Sequence, residues 1–150
     1  MGKELTPTQV QNPPQLEWSA KENTFYTLIF TEPDAPSRQD HSLKEWLHWL
    51  IVNIPEGNAT QGDIIFDYQG SGPDKASGFH RYVYLLFEQV EKLHIDLKPS
   101  PANSVEGRAK FSTVKFCQKY GLDSPVAGNF YLAQYDEYSE VLWAKLGLQF

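Results

Sequence analysis

At 150 residues, 41% hydrophobic and 14% aromatic, the chain has the length and apolar content of one packed domain and is too apolar for a disordered one. Its formal charge of -6, with no run of lysine or arginine, excludes electrostatic capture of nucleic acid. The single cysteine, Cys117, excludes an internal disulfide, and no apolar run reaches the ~18 residues of a membrane span. No charged-then-apolar leader opens the sequence, so the expected compartment is the cytoplasm, without stable membrane insertion.

In chain order, residues 24–30 are rich in aromatic and β-branched side chains and predict a strand. The stiff loop Thr31-Glu32-Pro33-Asp34-Ala35-Pro36-Ser37 closes it. Residues 45–53 predict another strand, halted by Pro55 and Gly57, and Ile64-Ile65-Phe66 is a shorter apolar run. The loop Gly70-Ser71-Gly72-Pro73-Asp74-Lys75-Ala76-Ser77-Gly78 forces turns, and its glycines let backbone amides approach a ligand. It feeds the longest predicted strand, 79–89, whose His80, Tyr82 and Tyr84 share one face. Residues 98–104, with two prolines, read as an irregular connection. Residues 108–120 predict a helix with Phe111, Val114 and Cys117 on one face and Gly121 at its C-cap. A strand over 126–134 and a short helix over 139–146, capped by Ser139, complete the chain. The expected architecture is mainly β, an antiparallel sheet or sandwich with helices at its edge. Strands 45–53 and 79–89, both long and apolar on both faces, are expected to be central neighbours.

Four histidines stand at 41, 48, 80 and 94, without His-x-x-x-His or Cys-x-x-Cys spacing, so no metal is implied. Simple alternation places His48 on the face of Trp46, Leu50 and Val52, an apolar setting that suits a hydrogen-bonded core histidine. His80 follows a glycine loop and has Tyr82 beside it, which admits a ligand site as readily as a structural role. Asp34, between Pro33 and Pro36, suits either a turn cap or a site carboxylate, while His41 and His94 lie in polar, solvated contexts. The glycine loop lacks the endings of nucleotide-binding loops, and no Gly-x-Ser-x-Gly nucleophile elbow is present.

Three ordered segments carry a resemblance: 31–38, 45–53, and Gly70-Ser71-Gly72-Pro73 through His80-Arg81-Tyr82-Val83. Together with Pro125-Val126-Ala127-Gly128-Asn129-Phe130-Tyr131, they closely resemble the phosphatidylethanolamine-binding protein family, whose animal members include the Raf kinase inhibitor protein. The resemblance covers nearly the whole chain and implies a β-sandwich with peripheral helices and a small anion pocket at one end of the large sheet. Carried over by motif position, the pocket residues are Glu32, Asp34, His48, Gly72, Pro73, His80 and Tyr82. Glu32 stands where an aspartate is usual and Asp74 where a second proline is common, both changes that weaken an anionic ligand. Relatives carry a further N-terminal segment, so a first strand is expected to be missing and a sheet edge open.

The resemblance implies a binding protein rather than an enzyme, with no cofactor. Its expected ligand is a phospholipid headgroup or another phosphate-bearing small molecule, and its expected partner a protein kinase regulated by contact. Inhibition of a serine protease is the second expectation, and an enzyme acting on a small phosphorylated molecule the third. Carboxylates beside His48 and His80 favour their protonation, and an imidazolium with loop amides and the Tyr82 hydroxyl can then hold phosphate oxygens.

Overall fold

The structure, a computed structural model, describes residues 1–37 and 39–149, so Arg38 of the first motif lies outside the described residues. The strands are β1 (Lys3–Glu4), β2 (Phe25–Glu32), β3 (Trp46–Pro55), β4 (Asp63–Phe66), β5 (His80–Gln89) and β6 (Ala127–Ala133). The helices are α1 (Thr113–Tyr120) and α2 (Glu137–Lys145). The mainly-β expectation holds: one six-stranded sheet runs in the order β1-β6-β5-β2-β3-β4. Among the described strands the β1–β6 pair is parallel and the other pairs are antiparallel.

Apolar side chains project from both faces of the sheet, and each face is covered by irregular chain. On one face Tyr26, Phe30, Trp49, Tyr82 and Tyr131 pack beneath Leu5, Val10, Leu16 and Trp18. On the other, Ile29, Leu50, Val52 and Phe87 pack beneath Leu93, Ile95, Leu97 and Phe116 of α1. None of the described helices is long and apolar enough to cross a membrane.

Four expectations need correction. β3 and β5 are not neighbours, because β2 lies between them and pairs with both. Seven of its eight residues are buried, which suits the centre of the sheet better than either longer strand. β6 is not left as an edge strand: the two-residue β1 lies beside it, Lys3 and Glu4 pairing with Tyr131 and Leu132. α1 starts at Thr113, capped by Ser112, whose hydroxyl accepts from the amide of Lys115. It does not begin at Arg108, which is already held in the core by distant carbonyls, and it buries Phe116 while Val114 is exposed. α2 starts after Asp136, whose carboxylate accepts from the Tyr138 amide, leaving Ser139 buried inside the first turn.

Candidate functional site

The order β5-β2-β3 sets Glu32, at the end of β2, between His80 of β5 and His48 of β3. Alternation alone would turn His48 toward Leu50 and Val52, but the ladder carries a bulge. Phe30 pairs with Trp49 and Thr31 pairs with Leu47, which leaves His48 as the extra residue of β3. The bulge turns its ring onto the opposite face, 5.2 Å from the ring of Phe30 and 5.4 Å from that of Tyr82. The expected companions Leu50 and Val52 stay on the α1 side, so the predicted face of His48 is corrected.

Two residues that sequence reasoning missed hold the bulge. Arg108 is fully buried and donates to the carbonyls of Leu47 and His48 at 3.1 Å, and to those of Ser104, Asp67 and Pro101. Burial lowers its pKa to about 10. The amide of Gln69 donates to the His48 carbonyl at 2.9 Å, and the Gln69 carbonyl lies 2.9 Å from His48 Nδ1. A carbonyl only accepts, so Nδ1 carries a hydrogen and Nε2 faces Oε1 of Glu32 at 3.4 Å.

Oε2 of Glu32 is hydrogen-bonded to Nδ1 of His80. Burial pushes the Glu32 carboxyl up, but hydrogen bonds from His48 and His80 outweigh it and hold the group below the usual carboxylate value. The far nitrogen of His80, Nε2, lies 2.7 Å from Oγ of Ser77. Tyr82 supports the set from beneath, its ring stacked on His80 at 6.3 Å. Burial, then the Glu32 charge, raises its phenol well above the ordinary value.

A cavity of about 410 Å³ opens over these groups. Of the expected pocket residues, Glu32, His48, Gly72, Pro73 and His80 line it. Asp34 and Tyr82 do not. Asp34 is fully buried and accepts from the amide, Nε and Nη2 of Arg81 at 2.8–2.9 Å, and Tyr82 lies under the imidazoles. His41, expected to be solvated, stands 3.7 Å from Asp34. Two of the loop glycines, Gly70 and Gly72, line the cavity and also serve packing. A Cβ at Gly70 would meet the Val10 carbonyl at 2.8 Å, and one at Gly72 would meet Leu142 at 2.9 Å. They admit the N-terminal chain and α2, whose Trp143 donates to the Gly72 carbonyl at 2.8 Å.

The remaining walls come from Leu43, Trp46, Leu142, Trp143, Leu146 and Leu148, with Asp74 at the exposed rim. The result is a polar floor of one carboxylate and two imidazoles under apolar walls. Such a floor can exchange protons, accept from an ammonium group, or, once the imidazoles are charged, hold an anion. Only long-range packing brings α2 over this floor, whereas Ser77 reaches it beside its near neighbour in sequence, His80.

The chain is 42% identical over 137 residues to "Putative odorant-binding protein A5" of Drosophila melanogaster, spanning 91% of this chain and 65% of that relative's length. Among solved structures, the CG7054 solution structure is similar at 40% identity and a TM-score of 0.77, over 97% of this chain and 83% of the other. A carboxypeptidase Y inhibitor in complex with its cognate proteinase is similar at 27% identity and a TM-score of 0.72, over 90% and 76%. Residues 1–131, which include every polar group of the cavity floor, match the family described as phosphatidylethanolamine-binding protein, and the chain belongs to that family.

Proposed function

We propose that this cavity binds phosphate-bearing headgroups and that the protein acts as a binding module, the occupied pocket setting its contact with a partner protein. What carries the reading is the convergence of His48 and His80 on the two oxygens of one buried carboxylate at the cavity floor. Glu32 neutralises one imidazolium, so a phosphate dianion gains a net positive partner only when both rings are charged. Binding therefore strengthens between pH 8 and pH 6. The apolar walls suit the glycerol and acyl stem of a lipid better than a free inorganic ion.

Calorimetric titration with phosphoethanolamine and with a short-chain phosphatidylethanolamine at both pH values tests this. Tighter binding at pH 6, lost more at pH 6 than at pH 8 in His80→Ala, is the expected result. Binding that ignores His80→Ala, or strengthens as pH rises, overturns it.

The partner proposed first is a protein kinase regulated by contact in the cytoplasm, a compartment that suits the free thiol of Cys117. A specific finding favours the second reading, serine protease inhibition: the similarity to a carboxypeptidase Y inhibitor in complex with its proteinase. Inhibition assays against a serine carboxypeptidase and a purified kinase separate the two.

A further inference from the structure

Ser77 is absorbed by neither the family resemblance nor the binding reading, yet it stands in the turn before β5 and lines the cavity. Its Oγ is 2.7 Å from Nε2 of His80, and the ring's other nitrogen, Nδ1, is hydrogen-bonded to Glu32. A hydroxyl on Nε2 and a carboxylate on Nδ1 is the order in which a serine nucleophile, its general base and the group orienting that base are arranged.

The shielding matches those roles. Ser77 is half-buried at the cavity, while His80 is 2% exposed and Glu32 7%. The second oxygen of the carboxylate lies 3.4 Å from His48 Nε2, which donates to it when that ring carries a hydrogen on both nitrogens. The hydroxyl has one competing acceptor, the Asp74 carbonyl at 2.9 Å, and a turn about the Cβ–Oγ bond transfers its hydrogen from Asp74 to His80.

We propose that Ser77 is a nucleophile, with His80 as its general base and Glu32 as a positioning residue, and that it accepts the acyl group of a small apolar ester. Oγ bonds to the carbonyl carbon while His80 Nε2 takes the hydroxyl proton. The tetrahedral intermediate then breaks its bond to the ester oxygen, and the alcohol leaves with the proton from His80. Ser77 is left as an ester, with no net change of charge or oxidation state. The walls formed by Leu43, Trp46, Leu142 and Leu146 set the preference for an apolar acyl group.

The test incubates the full chain with a fluorophosphonate probe at pH 6, 7 and 8 and maps the adduct by mass spectrometry. There the Oγ–phosphorus bond forms, the phosphorus–fluorine bond breaks, fluoride leaves and His80 takes the proton. The expected result is one adduct on the Ser77 peptide, absent in Ser77→Ala, with labelling slowed about a hundredfold or more in His80→Ala. Glu32→Gln is expected to move the pH profile of labelling, which a purely structural role would not do. A burst of one p-nitrophenol per chain from p-nitrophenyl butyrate, lost in Ser77→Ala, supports the acyl step. No adduct, an adduct on another serine, or equal labelling in folded Ser77→Ala and wild type overturns the assignment, the fold being checked by near-ultraviolet circular dichroism. No phosphate headgroup enters this test, so its failure is distinct from failure of the binding reading.

Discussion

One nitrogen of Arg108 donates to two consecutive carbonyls, those of Leu47 and His48, each at 3.1 Å. A strand bulge frees main-chain groups from the ladder, and the guanidinium takes up those of the bulge that aims His48 at the cavity. A fully buried cation is thus stabilised by carbonyl dipoles around it.

Arg108→Gln leaves several buried carbonyls without donors and is expected to destabilise the fold by about 2–4 kcal/mol. Urea unfolding measures the loss. Headgroup binding is expected to fall as well, in whatever fraction stays folded, because the bulge loses its clamp.

Glu32 gives stability a sign with respect to pH. Its folded carboxyl lies below the ordinary value of 4.5, so the stabilisation is complete above that value and is lost as pH falls through the folded one. Unfolding free energies at pH 7, 5 and 3 are expected to fall toward acid in the wild type. Glu32→Gln is expected to start lower at pH 7, by on the order of 1–3 kcal/mol, and to decline less.

The buried tyrosines give the opposite sign on the alkaline side. Burial pushes Tyr68 up to about 12 and raises Tyr82, Tyr84 and Tyr131 well above their ordinary value of 10.0 as well. A raised acid is neutral in the fold and ionised when unfolded, so stability is full below pH 10 and drains away above it. Absorbance at ~295 nm is expected to show these phenols ionising together with the loss of near-ultraviolet circular dichroism, and not before it.

Asp34→Ala removes the acceptor of three Arg81 donors, among them a backbone amide. The expected cost is about 2–4 kcal/mol in thermal or urea unfolding, with Asp34→Asn losing less because it keeps one acceptor oxygen. Because Asp34 does not line the cavity, the folded variants are expected to retain headgroup binding within a few fold.

Much of this arrangement was legible in the chain. Aromatic and β-branched runs marked β2, β3 and β5 to within a residue or two, and the ordered motifs brought Glu32, His48 and His80 into one pocket. The face of His48 was illegible, because alternation counts residues evenly and a bulge is set by the partner strand. The start of α1 was overcalled, since Arg108 obeys carbonyls distant in sequence rather than helical periodicity. At α2 two competent caps stood three residues apart, and Asp136 prevailed with Glu137 and Glu140 in the first turn beside it. Ser77 stands only three residues from its partner His80, but the carboxylate on the far side of that ring, Glu32, comes from a different strand, so no local pattern singled the serine out.

The unpaired residue in β3 makes this pocket a matter of chain length as much as of composition. Deleting Leu47, so that His48 takes its place opposite Thr31, would restore even pleating and swing the imidazole to the α1 side, with every named pocket residue still present in the sequence. A relative could therefore match this chain at each polar position and yet have no site. In comparing such proteins, the placement of a single gap between Trp46 and Trp49 carries more information than the identity of any side chain there.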